Sequence, residues 1–451
     1  MTRVRSASAA VVTAMLVLAG AAACGRADER ANAGGPATST TAPTGATSTT
    51  TGGPATTTTT APTATTAPGP KGSPTGPTTT AGGTAAGAYP SAITMDVVDN
   101  PKLDGFEAAT KQRVAKAGLP GASLLVLQHG KLIEQEAWSG YTLDTRVPIA
   151  SASKWMSAST IMTLVDEGKL DLDKPISTYL DFAKGDFGTI TTRQLLSFTS
   201  GIPDDDSIPC FADPNISLQD CNRAIAKLKL VHKPGEAFRY GGEHLHVAAG
   251  VAEAVSGKGW NDLFAERITG PLGMTNTVFA GAPFNVENRL HPIPSGSGLS
   301  TLADYGRFLE MIYHDGVAPD GRRILSHESL VQMQSNQIGD ARYAKAASFR
   351  MEQKNPYGLG EWLDWVGPDG AAIVLSSDGA FGFRPWYDKQ NDIVGVYMVD
   401  DHAATGGYSD GDPRNDATKG QIPISGNWVF TDVAEALGGS LPADKDQRPG
   451  H

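Results

Sequence analysis

A serine and a lysine three residues apart are the clearest candidates for chemistry in this sequence: Ser151 and Lys154, in the run Ser-Ala-Ser-Lys. A serine hydroxyl is a weak nucleophile until a base accepts its proton, and a lysine can be that base only if burial or a neighbouring cation lowers its pKa. If Ser151 opens a helix, its Oγ lies at the positive end of the helix dipole and Lys154 lies on the same face one turn later. The spacing alone is weakly specific, because a chain of this size contains it about once by chance. An exposed lysine on a capped helix is the alternative.

The residues after Ser151 predict the helix that this chemistry requires. Apolar side chains recur at helical spacing up to Glu167, and Gly168 stands where a C-terminal cap belongs. A β-hairpin is predicted before this helix, with strands at 122–128 and 132–139. Further helices are predicted at 192–197, 218–229, 244–255, 302–314 and 427–437, and further strands at 371–375, 379–387 and 393–399.

The order of these elements predicts the fold class. Strands come first, helices follow over about 168–330, and strands return before a last helix. One antiparallel sheet is therefore built from both ends of the domain. We expect an α/β (α+β) domain in which N- and C-terminal helices flank the sheet, an all-helical region is inserted, and the site lies in the groove between the two parts.

The first 88 residues are predicted to lie outside the folded domain, which we place at 89–451. Arg3 and Arg5 precede an apolar run, so that 1–24 reads as a signal peptide. The Ala-Ala-Ala-Cys sequence that ends at Cys24 fits both a cleavage site and a lipoprotein box, so we expect either a lipid anchor on Cys24 or simple release. Residues 25–88 are dominated by Thr, Pro, Ala and Gly and contain no aromatic side chain, which predicts a disordered linker.

Charge and cysteine content limit the kinds of partner, cofactor and compartment that the sequence predicts. The formal net charge of −11 argues against a nucleic-acid partner. If Cys24 carries lipid, Cys210 and Cys221 are left as a pair that can close a short loop in an oxidising compartment, and two buried thiols are the alternative. No Cys-x-x-Cys motif or clustered His and Cys in the sequence suggests a metal site, and no organic cofactor is implied.

Around the candidate nucleophile the sequence reads Ile149-Ala-Ser-Ala-Ser-Lys-Trp-Met. This segment closely resembles the nucleophile segment of the serine β-lactamase and penicillin-binding-protein superfamily, in the branch of class C β-lactamases, D-alanyl-D-alanine carboxypeptidases and esterases. Further segments resemble family landmarks in consistent order between about residues 91 and 437, at 160–175, 190–203, 234–240, 271–277, 298–304 and 357–360. In the second of these, Phe198 replaces a common histidine and is expected to shape specificity. With its predicted signal peptide and linker, the full chain resembles an actinobacterial-type secreted lipoprotein.

The resemblance implies a second motif, Y-x-N, which here reads Tyr240-Gly241-Gly242. In the family this tyrosine acts as the base for acylation and for activating the hydrolytic water, and a cationic lysine beside it lowers its pKa. The asparagine that helps hold the lysine and the substrate's amide carbonyl is replaced by Gly242. We expect Glu243, His244 or His246 either to substitute partly for it or to be structural.

The resemblance also implies a third motif, K-T-G or H-x-G, on an edge strand lining the site. Its best match is Ser377-Asp378-Gly379, although a shift by one residue would place Ser376 first. The N–H groups of Ala380 and Ser151 would form the oxyanion hole. Ser377 stands where the family has a basic residue that binds substrate carboxylates. Arg384 could supply that cation or be a surface residue.

These observations predict a secreted serine hydrolase that forms an acyl-enzyme on Ser151, with Lys154 and Tyr240 as activating groups. Its substrate would be a small ester or amide, or a cell-wall peptide cleaved in a β-lactamase or D,D-peptidase manner. The alternative is a catalytically weakened cell-envelope lipoprotein that binds a ligand or partner with the same fold. Either protein would stand on the outer face of the membrane, held only by a lipid anchor, or in the cell wall. The oligomeric state is left open.

Overall fold

The computed structural model of the chain describes residues 88–204, 209–281, 285–346, 354–368, 370–400 and 428–440. The predicted signal peptide, the candidate lipidation site Cys24 and the linker up to residue 87 lie outside the described residues. Within the described residues, no helix is both long enough and apolar enough to span a bilayer.

The secondary structure follows the predicted order of strands, helices, strands and a last helix. The strands are β1 (Gly121–Gln128), β2 (Lys131–Ser139), β3 (Arg146–Pro148), β4 (Ala237–Arg239), β5 (Val278–Phe279), β6 (Gly298–Thr301), β7 (Arg342–Lys345), β8 (Trp362–Val366), β9 (Ala372–Ser376), β10 (Arg384–Asp388) and β11 (Ile393–Met398). The α-helices are α1 (Asp104–Ala117), α2 (Ser153–Asp166), α3 (Gly185–Gly188), α4 (Thr192–Leu196), α5 (Leu218–Ile225), α6 (Gly242–Ser256), α7 (Trp260–Phe264), α8 (Gly270–Leu272), α9 (Leu302–Tyr313), α10 (His327–Met333) and α11 (Trp428–Ala436).

The main sheet has the strand order β2-β1-β11-β10-β9-β8, and its assigned pairs are antiparallel. It joins the two ends of the domain, because β1 pairs with β11 and Leu125 stands opposite Val396. Alternate side chains of β1 enter different cores, as a pleated strand buried on both faces requires. Leu124 packs in the core that includes α1 and α11, whereas Leu125 packs in the core that includes α2 and α9. The predicted α/β fold is confirmed.

The inserted region is not all helical, which corrects the prediction. Strands β4, β5 and β6 lie within it. There β6 pairs with β5 and with β3, which precedes the region, and β4 pairs in parallel with β7, which follows it. These strands have two to four residues, so they are too short to show an alternating pattern in the sequence. Strand β3 leads into the nucleophile segment, and its pairing with β6 anchors the start of that segment.

The third-motif residues are not on an edge strand, which is a second correction. Ser377 to Gly379 follow β9, which lies one strand in from β8 at the edge of the sheet. The strand predicted at 379–387 begins only at Arg384, because the residues before it form a turn in which the Gly382 N–H donates to the Gly379 carbonyl. Gly382 has a φ of 94°, a left-handed conformation that favours glycine.

The predicted pairing of the two remaining cysteines is present. Cys210 and Cys221 form a disulfide, with Cys221 on α5. Helix α5 ends at Ile225, four residues before the end predicted for it.

Candidate active site

A strained turn presents Ser151. The Ile149 N–H donates to the Gly298 carbonyl at 2.9 Å, which fixes the end of β3 against β6. Ala150 then adopts a φ of 45°, a region that non-glycine residues rarely occupy and that is often found at functional sites. Ser151 follows in the 3₁₀ turn Ala150–Ala152, so the α-helix begins two residues later than predicted, at Ser153. Tyr305 closes the turn by donating its hydroxyl to the Ala152 carbonyl at 2.7 Å.

Lys154 lies directly beside the candidate nucleophile. Its Nζ is 2.8 Å from Ser151 Oγ and also donates to the backbone carbonyl of Ser295 at 2.8 Å. The side chain is almost completely buried, whereas Ser151 is partly exposed. A neutral lysine has two N–H donors and one lone pair, so it can donate to Ser295 and accept the Ser151 hydroxyl proton at once.

Burial decides the protonation of this lysine. Loss of solvation lowers the pKa of Lys154 from 10.5 to about 7, while the charge of the buried Glu243 raises this pKa by less than burial lowers it. Near neutral pH a large share of the amine is therefore unprotonated and able to act as a base. This is the condition that a Ser-x-x-Lys pair must meet to activate its serine.

Tyr240 lies next to the same lysine. Lys154 Nζ is 4.8 Å from the centre of the Tyr240 ring. Three contacts hold the tyrosine in place: its N–H donates to the Lys345 carbonyl, its ring stacks on Trp362, and its ring meets Phe198 edge-on. The structure thus brings Ser151, Lys154 and Tyr240 into one site from separate parts of the chain.

Ser295 is a site residue that the sequence did not reveal. Besides accepting from Lys154 through its carbonyl, it occupies space beside Gly242, because a Cβ added to Gly242 would lie 3.0 Å from Ser295 Oγ. An asparagine at position 242 would therefore require Ser295 to move. The contact with Lys154 is made by a main-chain atom, so no side-chain pattern marks it.

The third-motif segment packs against the nucleophile segment. Ser377 donates its hydroxyl to the Ser151 carbonyl at 3.3 Å. A Cβ on Gly379 would lie 2.4 Å from the Ile149 carbonyl oxygen, so only glycine permits this approach. Ala380 follows in an exposed turn. The predicted match to the third motif therefore lies at the site, although not on a strand.

Phe198 and Arg384, two residues predicted to contact substrate, are instead buried. Phe198 has no exposed surface and packs against Tyr240, His244 and Tyr357, so it supports the site from within the core. Arg384 is buried and forms an ion pair with Asp378. Because that carboxylate already neutralises the guanidinium, Arg384 does not fit the role of cation for a substrate carboxylate, and it is not a surface residue either.

The polar residues that could have replaced the missing asparagine are buried. His244 Nδ1 lies 2.8 Å from Ser200 Oγ, and burial lowers the pKa of His244 to about 3. His246 Nδ1 lies 3.0 Å from Asn222 Oδ1, and its Nε2 lies 3.0 Å from His291 Nε2. The structural alternative therefore fits both histidines, while Glu243 acts on the site through its charge. Among the described residues, Cys221, His246 and His291 form the one group whose atoms could together hold a metal ion, and Ser151 and Lys154 are not part of it.

Comparison with known families settles the membership of the chain. The beta-lactamase family model matches residues 106–417, more than half of the chain. This chain belongs to the beta-lactamase family. The match includes every residue of the site described above.

Individual relatives agree with this membership. The beta-lactamase-family chain is 31% identical over 193 residues to Protein flp of Staphylococcus aureus (strain MW2), covering 40% of this chain and 39% of that protein. It therefore spans about two fifths of the length of the flp proteins that it matches. It is 30% identical over 367 residues to Protein Rv1367c of Mycobacterium tuberculosis (strain ATCC 25618 / H37Rv), covering 66% of this chain and 90% of that protein.

Solved structures share the fold. A candidate beta-lactamase from Bacteroides dorei DSM 17855 superposes with a TM-score of 0.61 at 34% identity, covering 68% of this chain and 91% of that one. A family VIII carboxylesterase superposes with a TM-score of 0.56 at 17% identity, covering 76% of this chain and all of that one. At the lower identity the likeness shows the fold alone.

Proposed function

We propose that this protein is a serine hydrolase that cleaves an ester or amide through an acyl-enzyme on Ser151. The observation that carries the proposal is the 2.8 Å contact between Lys154 Nζ and Ser151 Oγ, made by an amine whose pKa burial lowers to about 7. A buried lysine lowers the stability of the folded protein, because burial removes water from its amine and a nearby hydroxyl does not neutralise its charge. Such a strongly shifted group therefore points to a functional role.

The chemistry begins with proton transfer from the serine. As Ser151 Oγ bonds to the substrate's carbonyl carbon, neutral Lys154 accepts the hydroxyl proton. The resulting oxyanion would be held by the backbone N–H groups of Ser151 and Ala380. When the tetrahedral intermediate breaks down, the alcohol or amine leaves with a proton from the lysine ammonium, and the acyl group stays on Ser151. Water then bonds to the acyl carbon and loses a proton, the bond to Ser151 Oγ breaks as the acid leaves, and Ser151 Oγ takes up a proton. Tyr240 would mediate this proton exchange in the acid–base role that its family position implies.

The substrate class follows from the residues that replace the family's charged and amide groups. Ser377 takes the place of the basic residue that binds a carboxylate, and Gly242 takes the place of the asparagine that holds an amide carbonyl. Arg384 is already paired with Asp378. These features favour a neutral ester or a simple amide over penicillins and peptides that end in D-alanine.

We infer that the protein works outside the cytoplasm. The apolar N-terminal run supports export, and the disulfide between Cys210 and Cys221 suits an oxidising compartment. Cys24 would carry a lipid anchor if the lipoprotein box is used. The test is whether membrane fractions of the producing cell lose the protein when Cys24→Ser replaces the wild type.

The substrate proposal is tested with three compounds presented to the same purified protein. A short-chain p-nitrophenyl ester, the corresponding p-nitroanilide and a fluorescent penicillin are compared in the wild type, Ser151→Ala and Tyr240→Phe. We expect ester turnover that Ser151→Ala abolishes and Tyr240→Phe lowers about 100-fold or more. A stable penicillin adduct without ester turnover would instead support a cell-wall peptidase. Folded protein that is inert to all three compounds would support the binding lipoprotein.

A further inference from the structure

Two buried histidines face each other outside the catalytic hydrogen bonds. Nε2 of His246, on α6, lies 3.0 Å from Nε2 of His291, in the segment before β6. Both side chains are fully buried. Cys221, on α5, completes a group in which the potential ligand atoms all lie within 4.8 Å of one another.

The other ring nitrogens fix where the protons are. His246 Nδ1 lies 3.0 Å from Asn222 Oδ1, and the orientation of that amide is determined because its Nδ2 donates to the His246 carbonyl. His291 Nδ1 lies 2.9 Å from the Asp213 carbonyl, which can only accept. A neutral imidazole carries one proton, and here both protons are used at Nδ1. With the protons at Nδ1, both Nε2 atoms carry a lone pair although they lie 3.0 Å apart, an arrangement that a bound cation or an added proton would stabilise.

A metal ion suits this arrangement better than an added proton. Burial disfavours the imidazolium that an added proton would create. Histidine ligands of metals commonly donate their other N–H to a carbonyl or side-chain oxygen, which fixes the tautomer. His246 and His291 already have such partners in Asn222 and Asp213.

We propose that His246, His291 and Cys221 form a binding site for a zinc-type divalent cation, available when the Cys210–Cys221 disulfide is reduced, with Cys210 as the fourth ligand. Cys210 is also buried, and its Cα lies 5.3 Å from that of Cys221. Tetrahedral zinc, with bonds of about 2.0 Å to nitrogen and about 2.3 Å to sulfur, places neighbouring ligand atoms about 3.3–3.8 Å apart. The two Nε2 atoms, 3.0 Å apart, would have to separate to about 3.3 Å, and the ligand atoms that now lie within 4.8 Å of one another would have to close on the ion. Two thiolates would neutralise the charge of the buried ion.

Opening the site is a balanced two-electron step. A dithiol reductant gives two electrons and two protons to the disulfide and is itself oxidised to a disulfide, which leaves thiols on Cys210 and Cys221. Each thiol releases its proton to solvent as the cation binds. The disulfide and the metal site are thus alternative states of the same cysteines. In either state α5 is cross-linked, and in the metal state the cross-link extends to α6 and to the segment that carries His291.

The test is cobalt binding to the reduced full-length protein carrying Cys24→Ser. With a phosphine reductant and Co²⁺, we expect about one equivalent to bind, with a near-ultraviolet thiolate-to-cobalt charge-transfer band and intense visible bands of tetrahedral cobalt. The oxidised protein should lack the charge-transfer band. His246→Ala and His291→Ala should each weaken binding by more than about 100-fold. The matched control is His327→Ala, which removes an exposed histidine bonded to Asp315 and should bind cobalt as the parent does.

Three outcomes would overturn the proposal. One is a reduced protein that keeps its far-ultraviolet circular dichroism spectrum and shows no charge-transfer band. Another is a band that persists unchanged in both His246→Ala and His291→Ala. The third applies if reduction unfolds the metal-free protein. In that case Zn²⁺ should restore the circular dichroism spectrum of the parent and of His327→Ala but not that of His246→Ala. Failure of Zn²⁺ to do so would overturn the proposal.

Discussion

Replacing Lys154 by methionine should remove activity while making the protein more stable. Methionine has nearly the same length and shape but no charge, so it fits the buried site without desolvation of an amine. Lowering the pKa of Lys154 from 10.5 to about 7 corresponds to about 4 kcal/mol of destabilisation of the folded state near pH 7, at about 1.36 kcal/mol per unit. Lys154→Met removes this destabilisation. It also removes the hydrogen bond to the Ser295 carbonyl, and that loss offsets about 1 kcal/mol or more of the stability recovered.

The pH dependence has a definite sign. Between about pH 7 and the ordinary lysine pKa of 10.5, the unfolded chain binds more protons at Lys154 than the folded chain does, so wild-type stability rises with pH in that window. Relative to wild type, Lys154→Met should raise the free energy of unfolding by about 1–3 kcal/mol near pH 7, and the difference should shrink towards pH 10. Urea denaturation at several pH values measures it.

The same lysine sets the pH profile of the reaction. The second-order rate of labelling by a fluorophosphonate probe should rise with an apparent pKa near 7 in the wild type, because only neutral Lys154 accepts the serine proton. Lys154→Met should lower that rate by about 100-fold or more. Lys154→Arg is the matched control: its guanidinium stays charged, so it should be inactive and also less stable than the wild type. Labelling of Lys154→Met within tenfold of wild type, or a flat wild-type profile, would refute the reasoning.

Three further substitutions probe the groups around the lysine. Gly379→Ala forces a methyl group against the Ile149 carbonyl, at 2.4 Å, so it should lower the labelling rate at least about 100-fold by displacing the turn before the nucleophile. Gly242→Asn should lower ester turnover rather than create penicillin hydrolysis, because its Cβ meets Ser295 Oγ at 3.0 Å. Phe198→Ala should reduce the free energy of unfolding by about 3–5 kcal/mol, measured in urea, since this fully buried ring supports Tyr240.

Each of these has a control. Gly105→Ala, in helix α1 with open space around the added methyl group, should leave labelling unchanged. Adding Ser295→Gly to Gly242→Asn should recover part of the lost turnover; no recovery would show that steric pressure on Ser295 is not the cause. For Phe198, replacement by leucine should cost less stability than replacement by alanine, and equal costs would contradict a packing role.

The sequence could predict the nucleophile and its partner because both lie within one helical turn. The hairpin of β1 and β2 and the helix after Ser151 have strong periodic patterns, so they were predicted to within a few residues. The disulfide was predicted by counting, since only three cysteines exist and one stands at the lipoprotein box.

Other features depend on long-range packing that a sequence does not display. Ser295 meets Lys154 across 141 residues and through its backbone carbonyl, which every residue type possesses. The largely apolar residues from Gly379 to Phe383 resemble the start of a strand, but Gly379 and Gly382 turn the chain there. Strand β8 was missed because its tryptophans are separated by a buried aspartate, which breaks the apolar pattern. The aromatic Phe198 suggested a substrate contact, and only its burial shows the packing role.

The most direct test of the central claim is the intact mass of the protein after exposure to a fluorophosphonate probe, with the modified peptide located by fragmentation. The account predicts one adduct per chain, on Ser151, formed faster above pH 7 than below it and absent from Ser151→Ala. An adduct on another residue, or none on protein that is folded and carries its Cys210–Cys221 disulfide, would contradict the assignment of Ser151 and Lys154 as the catalytic pair.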